Sequence, residues 1–183
     1  MPLFSVQKTK IHYNHNHHQH QRSTMNIAVT IPDLLKCCGS SAWAERLSRL
    51  LPFNSIAELK KASDDTWFSL SENDWKEAFS HHPKIGDVGN LKEKFAGTAT
   101  WAEGEQSGVK AANEQVLKAL QKGKKKKKKK FGYIFIVCAT GKSAAEMLAL
   151  LKSRMINNPA IEIRIAAEEQ NKITHLRLEK LFT

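Results

Sequence analysis

Long apolar runs are missing from this chain of 183 residues. The longest, Ile134 to Ala139, falls far short of the roughly 20 residues a membrane-spanning helix requires, so no membrane partner is expected. Cysteine is scarce. Cys37, Cys38 and Cys138 cannot all pair within the chain, and the adjacent first two cannot easily bridge each other, which excludes a disulfide scaffold and argues for a reducing compartment. The first 24 residues contain no acid and no apolar stretch of the secretory kind, and no recognised address is present, so a cytoplasmic location is expected. A phosphate-binding glycine is also absent. Gly141-Lys142-Ser143 resembles the end of such a loop, but the glycine that should stand five residues before Gly141 is Ile136, which excludes nucleotide binding of that kind.

What the chain has in excess is positive charge, +11 in all, and its placement is uneven. Lys8, Lys10 and Arg22 lie in the first 24 residues, and seven consecutive lysines run from Lys124 to Lys130; the remainder is close to neutral. Adjacent ammonium groups repel, so the run is expected to form a solvated, lysine-rich loop at 122–130 or a frayed helix end. No aromatic residue is interleaved to stack a base, and nucleic acid is therefore not the expected partner. Residues 1–24, with His12, His15, His17, His18 and His20 among Asn and Gln, form a disordered leader by composition. No cysteine or carboxylate joins those imidazoles, and no metal site is expected there.

From Met25 to Thr183 the apolar residues recur at helical spacing, and the expected fold is all-α, a single compact multi-helix domain. Short helices open at Ile31-Pro32-Asp33, at Ser40 or Ser41 (with Ala42, Leu47 and Leu50 on its buried face) and at Ser55. Ser71 with Asp74 makes a capping-box start for a helix that Pro83 stops, leaving His81 and His82 at its end. A long amphipathic helix is expected from Trp101 to Leu120, ended by Gly123, and two more from Ser143 to Asn157 and from Ala160 to Phe182. The apolar stretch Tyr133 to Cys138 has no partner strand and is assigned to a buried helix.

Few residues are left to carry chemistry. His81-His82-Pro83 places imidazoles at a helix terminus, where they serve as caps more often than as acids or bases. Glu105 and Gln106 stand in the first turn of a helix, where carboxylates ordinarily complement the dipole. Arg154 and Arg177 could each clamp a carboxylate or pair structurally. Cys138 is a wall residue unless a base activates it.

Four stretches, in order, resemble the 2-oxo-4-hydroxy-4-carboxy-5-ureidoimidazoline (OHCU) decarboxylase family of urate breakdown. They are His82-Pro83-Lys84-Ile85-Gly86, Glu105-Gln106 with Gly108, Phe131-Gly132 through Ala139, and Lys172-Ile173-Thr174 with Leu176-Arg177-Leu178. The resemblance implies an all-helical lyase, commonly a homodimer, that needs no cofactor and converts a small-molecule ureidoimidazoline into (S)-allantoin and carbon dioxide. It implies His82 as the acid/base, Glu105 as its partner in handling protons, and Arg177 as the carboxylate anchor with Arg154 as second choice. Pro83, Gln106 and the segment Phe135, Ile136, Val137, Cys138 and Ala139 are implied as substrate-binding. The family's small hydroxyl residue before the Glu-Gln pair is absent, Ala102, Glu103 and Gly104 standing there instead. The rival expectation is a non-enzymatic helical module whose lysine loop binds nucleic acid or another anionic surface.

Overall fold

The computed structural model describes residues 26–83 and 106–183, with side chains from residue 113 onward in the second stretch. The expected leader at 1–24 lies outside the described residues. Within them are seven helices: α1 (Ile31–Cys37), α2 (Ser41–Ser48), α3 (Ile56–Phe68), α4 (Glu72–Ser80), α5 (Gln106–Phe131), α6 (Ala144–Met155) and α7 (Pro159–Lys180). The only pairing of extended backbone among these residues is an isolated antiparallel bridge between Ile27 and Phe53, so the all-α expectation holds. Most helix starts follow from local chemistry. Thr30, Ser40, Ser55, Ser143 and Asn158 each accept a hydrogen bond from a first-turn amide, and Ser71 forms the expected capping box with Asp74.

The core has two parts. The larger gathers α1 to α4 around α7 and includes Trp43, Trp67 and Trp75. Each buried indole finds an acceptor: Trp43 donates to Ser63 Oγ at 3.1 Å, Trp67 to the Ala167 carbonyl at 2.9 Å, and Trp75 to the Trp67 carbonyl at 2.9 Å. Three large rings are thus buried without an orphaned donor, and they tie α2, α3, α4 and α7 together. The smaller part joins Leu117 and Leu120 of α5 to Met147 and Leu151 of α6, with Phe135 beside them.

Four expectations are corrected. Gly123 does not end the long helix, and the lysine run is not a loop: α5 continues through both to Phe131. A Cβ at Gly123 would lie 2.5 Å from Leu151 Cδ2, so glycine serves close helix packing there. The stop is Gly132, whose positive φ of 85° suits the position after a helix and whose amide donates to the Lys128 carbonyl at 2.9 Å. Leu50 lies past the end of α2 and is exposed, while Trp43, Ala44 and Leu47 form the buried face.

The fourth correction concerns Tyr133 to Cys138, which is extended rather than helical. Tyr133 and Ile134 both go to the larger core part, and from Ile134 onward the side chains alternate, Ile136 to the larger and Phe135, Val137 and Ala139 to the smaller. No sheet ladder satisfies its backbone. Charged side chains do so instead, with Arg154 Nη1 donating to the Ile136 carbonyl at 2.5 Å and Lys142 Nζ to the Cys138 carbonyl at 2.8 Å, while the Cys138 amide donates to Glu169 Oε1 at 3.4 Å.

Lys127 explains why the helix survives seven lysines. It is fully buried, its Nζ 2.6 Å from Glu162 Oε1 and 4.3 Å from the centre of the Phe131 ring. Arg154 reaches the same oxygen through Nε at 2.8 Å, and Asn157 donates to Glu162 Oε2 at 3.0 Å. Arg154 Nη2 stands 2.6 Å from Oε1 as an ionic contact without the alignment of a hydrogen bond. Burial alone would push the Glu162 carboxyl up, but the hydrogen bonds from Arg154, Lys127 and Asn157 outweigh it and hold the group below its ordinary value.

Two stability predictions follow from this cluster. Glu162→Gln strands two buried cations and should cost about 3–5 kcal/mol in urea unfolding, whereas Lys127→Met leaves a balanced Glu162–Arg154 pair and should cost less, and exposed Lys125→Met should stay within about 0.5 kcal/mol. Because the folded Glu162 value is depressed, its contribution is present above about pH 4.3 and fades as the pH falls through the lower folded value. Stability measured from pH 7 to pH 3 should therefore fall less steeply in Glu162→Gln than in the parent chain.

Candidate functional site

The site starts at the end of α4. Trp75, Ala78 and Phe79 anchor that helix in the core, and its last turn passes into His81 and His82, whose amides donate to the carbonyls of Ala78 at 3.2 Å and Phe79 at 3.4 Å. The two histidines then part. His81 lies against the turn between α1 and α2, so close that a Cβ at Gly39 would fall 2.6 Å from His81 Cβ. His82 is half-buried and points its ring at α7, where Nε2 is hydrogen-bonded to Gln170 Oε1.

Gln170 belongs to a polar stripe on an otherwise core-facing side of α7. Glu162, Glu169, Gln170 and Thr174 are all buried there, next to Ile163, Ala166, Ala167 and Leu178. Gln170 Nε2 donates to Thr174 Oγ1 at 3.2 Å, and Thr174 Oγ1 donates to the Gln170 carbonyl at 3.0 Å. Glu169, one position before Gln170, accepts from the Cys138 amide and pairs with Lys172 at 2.6 Å. One turn of α7 therefore holds both His82 and the backbone of the extended segment.

The expected site residues fall into three groups. His82 and the segment from Phe135 to Ala139 come to the same stretch of α7, with Phe135, Ile136 and Cys138 buried and Val137 and Ala139 half-buried. Arg177 is half-buried three residues past Thr174, on the Gln170–Thr174 side of the helix, about 10 Å along the axis from Gln170. Its charge reaches α1, where it works against the burial that pushes the Cys37 thiol up to about 11 and the Cys38 thiol up to about 12. Arg154 stands apart from these: its guanidinium is buried, committed to Glu162 and the Ile136 carbonyl, and stacked 4.7 Å from the centre of the Phe135 ring. It braces the wall from behind. Pro83 is exposed beside His82, Gln106 opens α5 with its side chain outside the described residues, and Glu105 lies outside them altogether.

Sequence reasoning missed Lys127, Glu162, Glu169, Gln170 and Thr174. A signal existed for two of them, since Gln170 and Thr174 occupy the spacing of four that Ala166 and Leu178 continue, and polar residues in a core stripe need buried partners. Among the described residues no group of three or more His, Cys, Asp or Glu is arranged to hold a metal, and no helix is long and apolar enough to cross a membrane.

A family model described as OHCU decarboxylase matches residues 23–179. The chain is 43% identical over 151 residues to the "Uric acid degradation bifunctional protein TTL" of Arabidopsis thaliana, a match covering 80% of this chain and 45% of that protein. It is 23% identical over 144 residues to the 2-oxo-4-hydroxy-4-carboxy-5-ureidoimidazoline decarboxylase of Haloferax volcanii, covering 78% of this chain and 83% of the relative. The chain thus spans less than half the length of the bifunctional relatives it matches. Among solved structures it resembles a crystal structure of OHCU decarboxylase determined in the presence of (S)-allantoin, with 41% identity, a TM-score of 0.66, and coverage of 82% of this chain and 97% of that one. Because the family match reaches from ahead of α1 into the last turn of α7, the chain belongs to the OHCU decarboxylase family.

Proposed function

We propose that this chain decarboxylates 2-oxo-4-hydroxy-4-carboxy-5-ureidoimidazoline to (S)-allantoin and carbon dioxide, with His82 as the acid/base. The observation that carries the reading is the placement of His82: α4 presents it, half-buried, to the polar stripe of α7 that also holds the backbone at Cys138. The chemistry needs little more than that. In this substrate the carboxylate-bearing carbon adjoins an imine carbon. When the bond to the carboxylate breaks, its electron pair forms a carbon–carbon double bond and the imine pair moves onto nitrogen. The hydroxyl on the same carbon then gives up its proton and becomes a carbonyl, a proton is added to the ureido-bearing carbon from one face, and the ring nitrogen takes one proton from solvent to give neutral allantoin. A single imidazole held at one side of the ring can take the first proton and deliver the second.

Arg177 is the better carboxylate anchor because helical spacing puts the residue on the Gln170–Thr174 side of α7, whereas the guanidinium of Arg154 is already spent on Glu162 and Ile136. Glu105 and Gln106 complete the site in this reading, as the proton partner and the amide donor to the substrate. The rival anionic-surface reading loses its loop, since the lysine run is helical and its central residue is buried. A cytoplasmic homodimer is the form in which we expect the chain to work.

The test is stereochemical. With the ureidoimidazoline generated from urate in situ, circular dichroism should show rapid formation of one allantoin enantiomer, and His82→Ala should lower kcat about 10²–10⁴-fold. Racemic product at the protein-free rate would sink the assignment. The two arginines should separate in the same assay: Arg177→Gln should raise KM roughly ten- to hundredfold, the value of a charged hydrogen bond of about 1.5–3 kcal/mol, while Arg154→Gln should show its main effect as a lowered unfolding midpoint.

A further inference from the structure

We propose that the outer face of α5 is a docking surface for an anionic lipid membrane, on which Lys118, Lys122, Lys125 and Lys129 meet the headgroups while Ile156, beside the end of that helix, enters the acyl boundary. The surface is an addition to catalysis and not its rival, and it does not rest on the role of His82.

The helix sorts the lysines. Lys127 is turned inward to Glu162, which fixes the rotation of the whole stretch. Lys118, Lys122, Lys125 and Lys129 follow one another at intervals of four, three and four residues, so they align in one stripe about 16 Å long on the side away from Lys127. All four are exposed, as are Lys126 and Lys128 on either side of the stripe. Among the described residues none of these six makes an ion pair. Little in the chain can neutralise them, since no acid occurs from 115 to 145. On α6, against which α5 packs, Glu146 is engaged by its Ser143 cap at 3.2 Å, and Glu162 of α7 is buried and already shared by Lys127 and Arg154.

A lipid surface suits this face better than a nucleic acid. The helix carries no arginine to fork onto a phosphate, and its one aromatic residue, Phe131, is spent with its ring over Lys127 Nζ instead of standing ready to stack on a base. A second observation is apolar. Lys130 Nζ donates to the Met155 carbonyl, which brings the end of α5 against the turn between α6 and α7. There Ile156 is 84% exposed and Ile161 is 51% exposed, with Pro159 and Ala160 exposed between them. An apolar corner beside a row of lysines gains nothing from phosphates alone, whereas a bilayer surface offers a partner to each, the headgroup charge and the acyl boundary. The lack of a spanning run bears only on insertion across the bilayer, and docking from outside needs no such run.

The experiment is co-sedimentation of the full chain with phosphatidylcholine vesicles, with and without phosphatidylserine at about 30%, in salt of about 0.1 M and about 0.5 M. Binding is expected only with phosphatidylserine present and only at the lower salt. Lys125→Gln with Lys129→Gln, two exposed helix positions where glutamine is equally at home, should weaken it about 25-fold, roughly fivefold per lysine. The same charge removed from α3 and α4, by Lys61→Gln with Lys76→Gln, should change it less than about threefold. Ile156→Ser, which leaves the charge untouched, should weaken it about tenfold. All of these chains should keep the parental far-ultraviolet circular dichroism. The proposal is overturned if the phosphatidylserine vesicles are not bound at the lower salt, or if the α3 and α4 substitutions weaken binding as much as those on α5. A short DNA or RNA duplex bound more tightly than the vesicles, with the same dependence on Lys125 and Lys129, would overturn it by making the partner a nucleic acid. Parental affinity in Ile156→Ser would overturn the lipid as partner in favour of a purely ionic one, such as an acidic protein segment.

Discussion

Glu162 is buried on α7 with two cations and an amide converging on it: Lys127 from α5, Arg154 from α6 and Asn157 from the turn between α6 and α7. An isolated carboxylate in that place would be protonated or expelled, and either cation alone would be as costly. Together they make a junction from which three helices and the extended segment are held, because the Arg154 guanidinium goes on to the Ile136 carbonyl and stacks on Phe135. Two cations against one carboxylate leave the junction positively charged. The rings of Phe131, Tyr133 and Phe135 around Lys127 Nζ offset part of that excess, and burial together with Arg154 favours releasing the Lys127 proton.

The same helix organises the site. Seven residues separate Glu162 from Glu169, two turns of helix, so both face the extended segment and support it at Ile136 and at Cys138. Gln170 and Thr174 follow on the adjoining stripe and take His82. The segment can stay extended without a neighbouring strand because side chains fixed on α6 and α7 replace the ladder, and an extended chain can send alternate side chains into two cores where a helix could not.

The lysine run shows local and tertiary terms in direct competition. Mutual repulsion of neighbouring ammonium groups amounts to a few tenths of a kcal/mol per close pair. Burial of Leu117 and Leu120 against α6, together with an ion pair to Glu162, outweighs it. One lysine in seven faces inward because only one position of that helical stretch meets both the carboxylate and the aromatic rings. The others remain on the outer faces, most of them exposed.

Much of this was legible in the chain itself. Helix starts depend on a cap and its first turn, and Ser55, Ser71 with Asp74, Ser143 and Pro159 all marked theirs; the all-α class follows from the 3.6-residue spacing. His82 was legible through the motif that follows it, although spacing alone could not separate it from His81, since that choice is made by Gly39 on one side and Gln170 on the other. Gly123 and Gly132 are identical letters, and only packing against Leu151 and a positive φ decide which one ends a helix. Local sequence thus determined where helices begin and which residue types could do the chemistry, because caps and periodicity act within a few residues. Which lysine is buried, which arginine braces the fold, and which histidine meets α7 were decided by the tertiary structure, because each depends on partners 18 to 88 residues away, in contacts made only after the helices have packed.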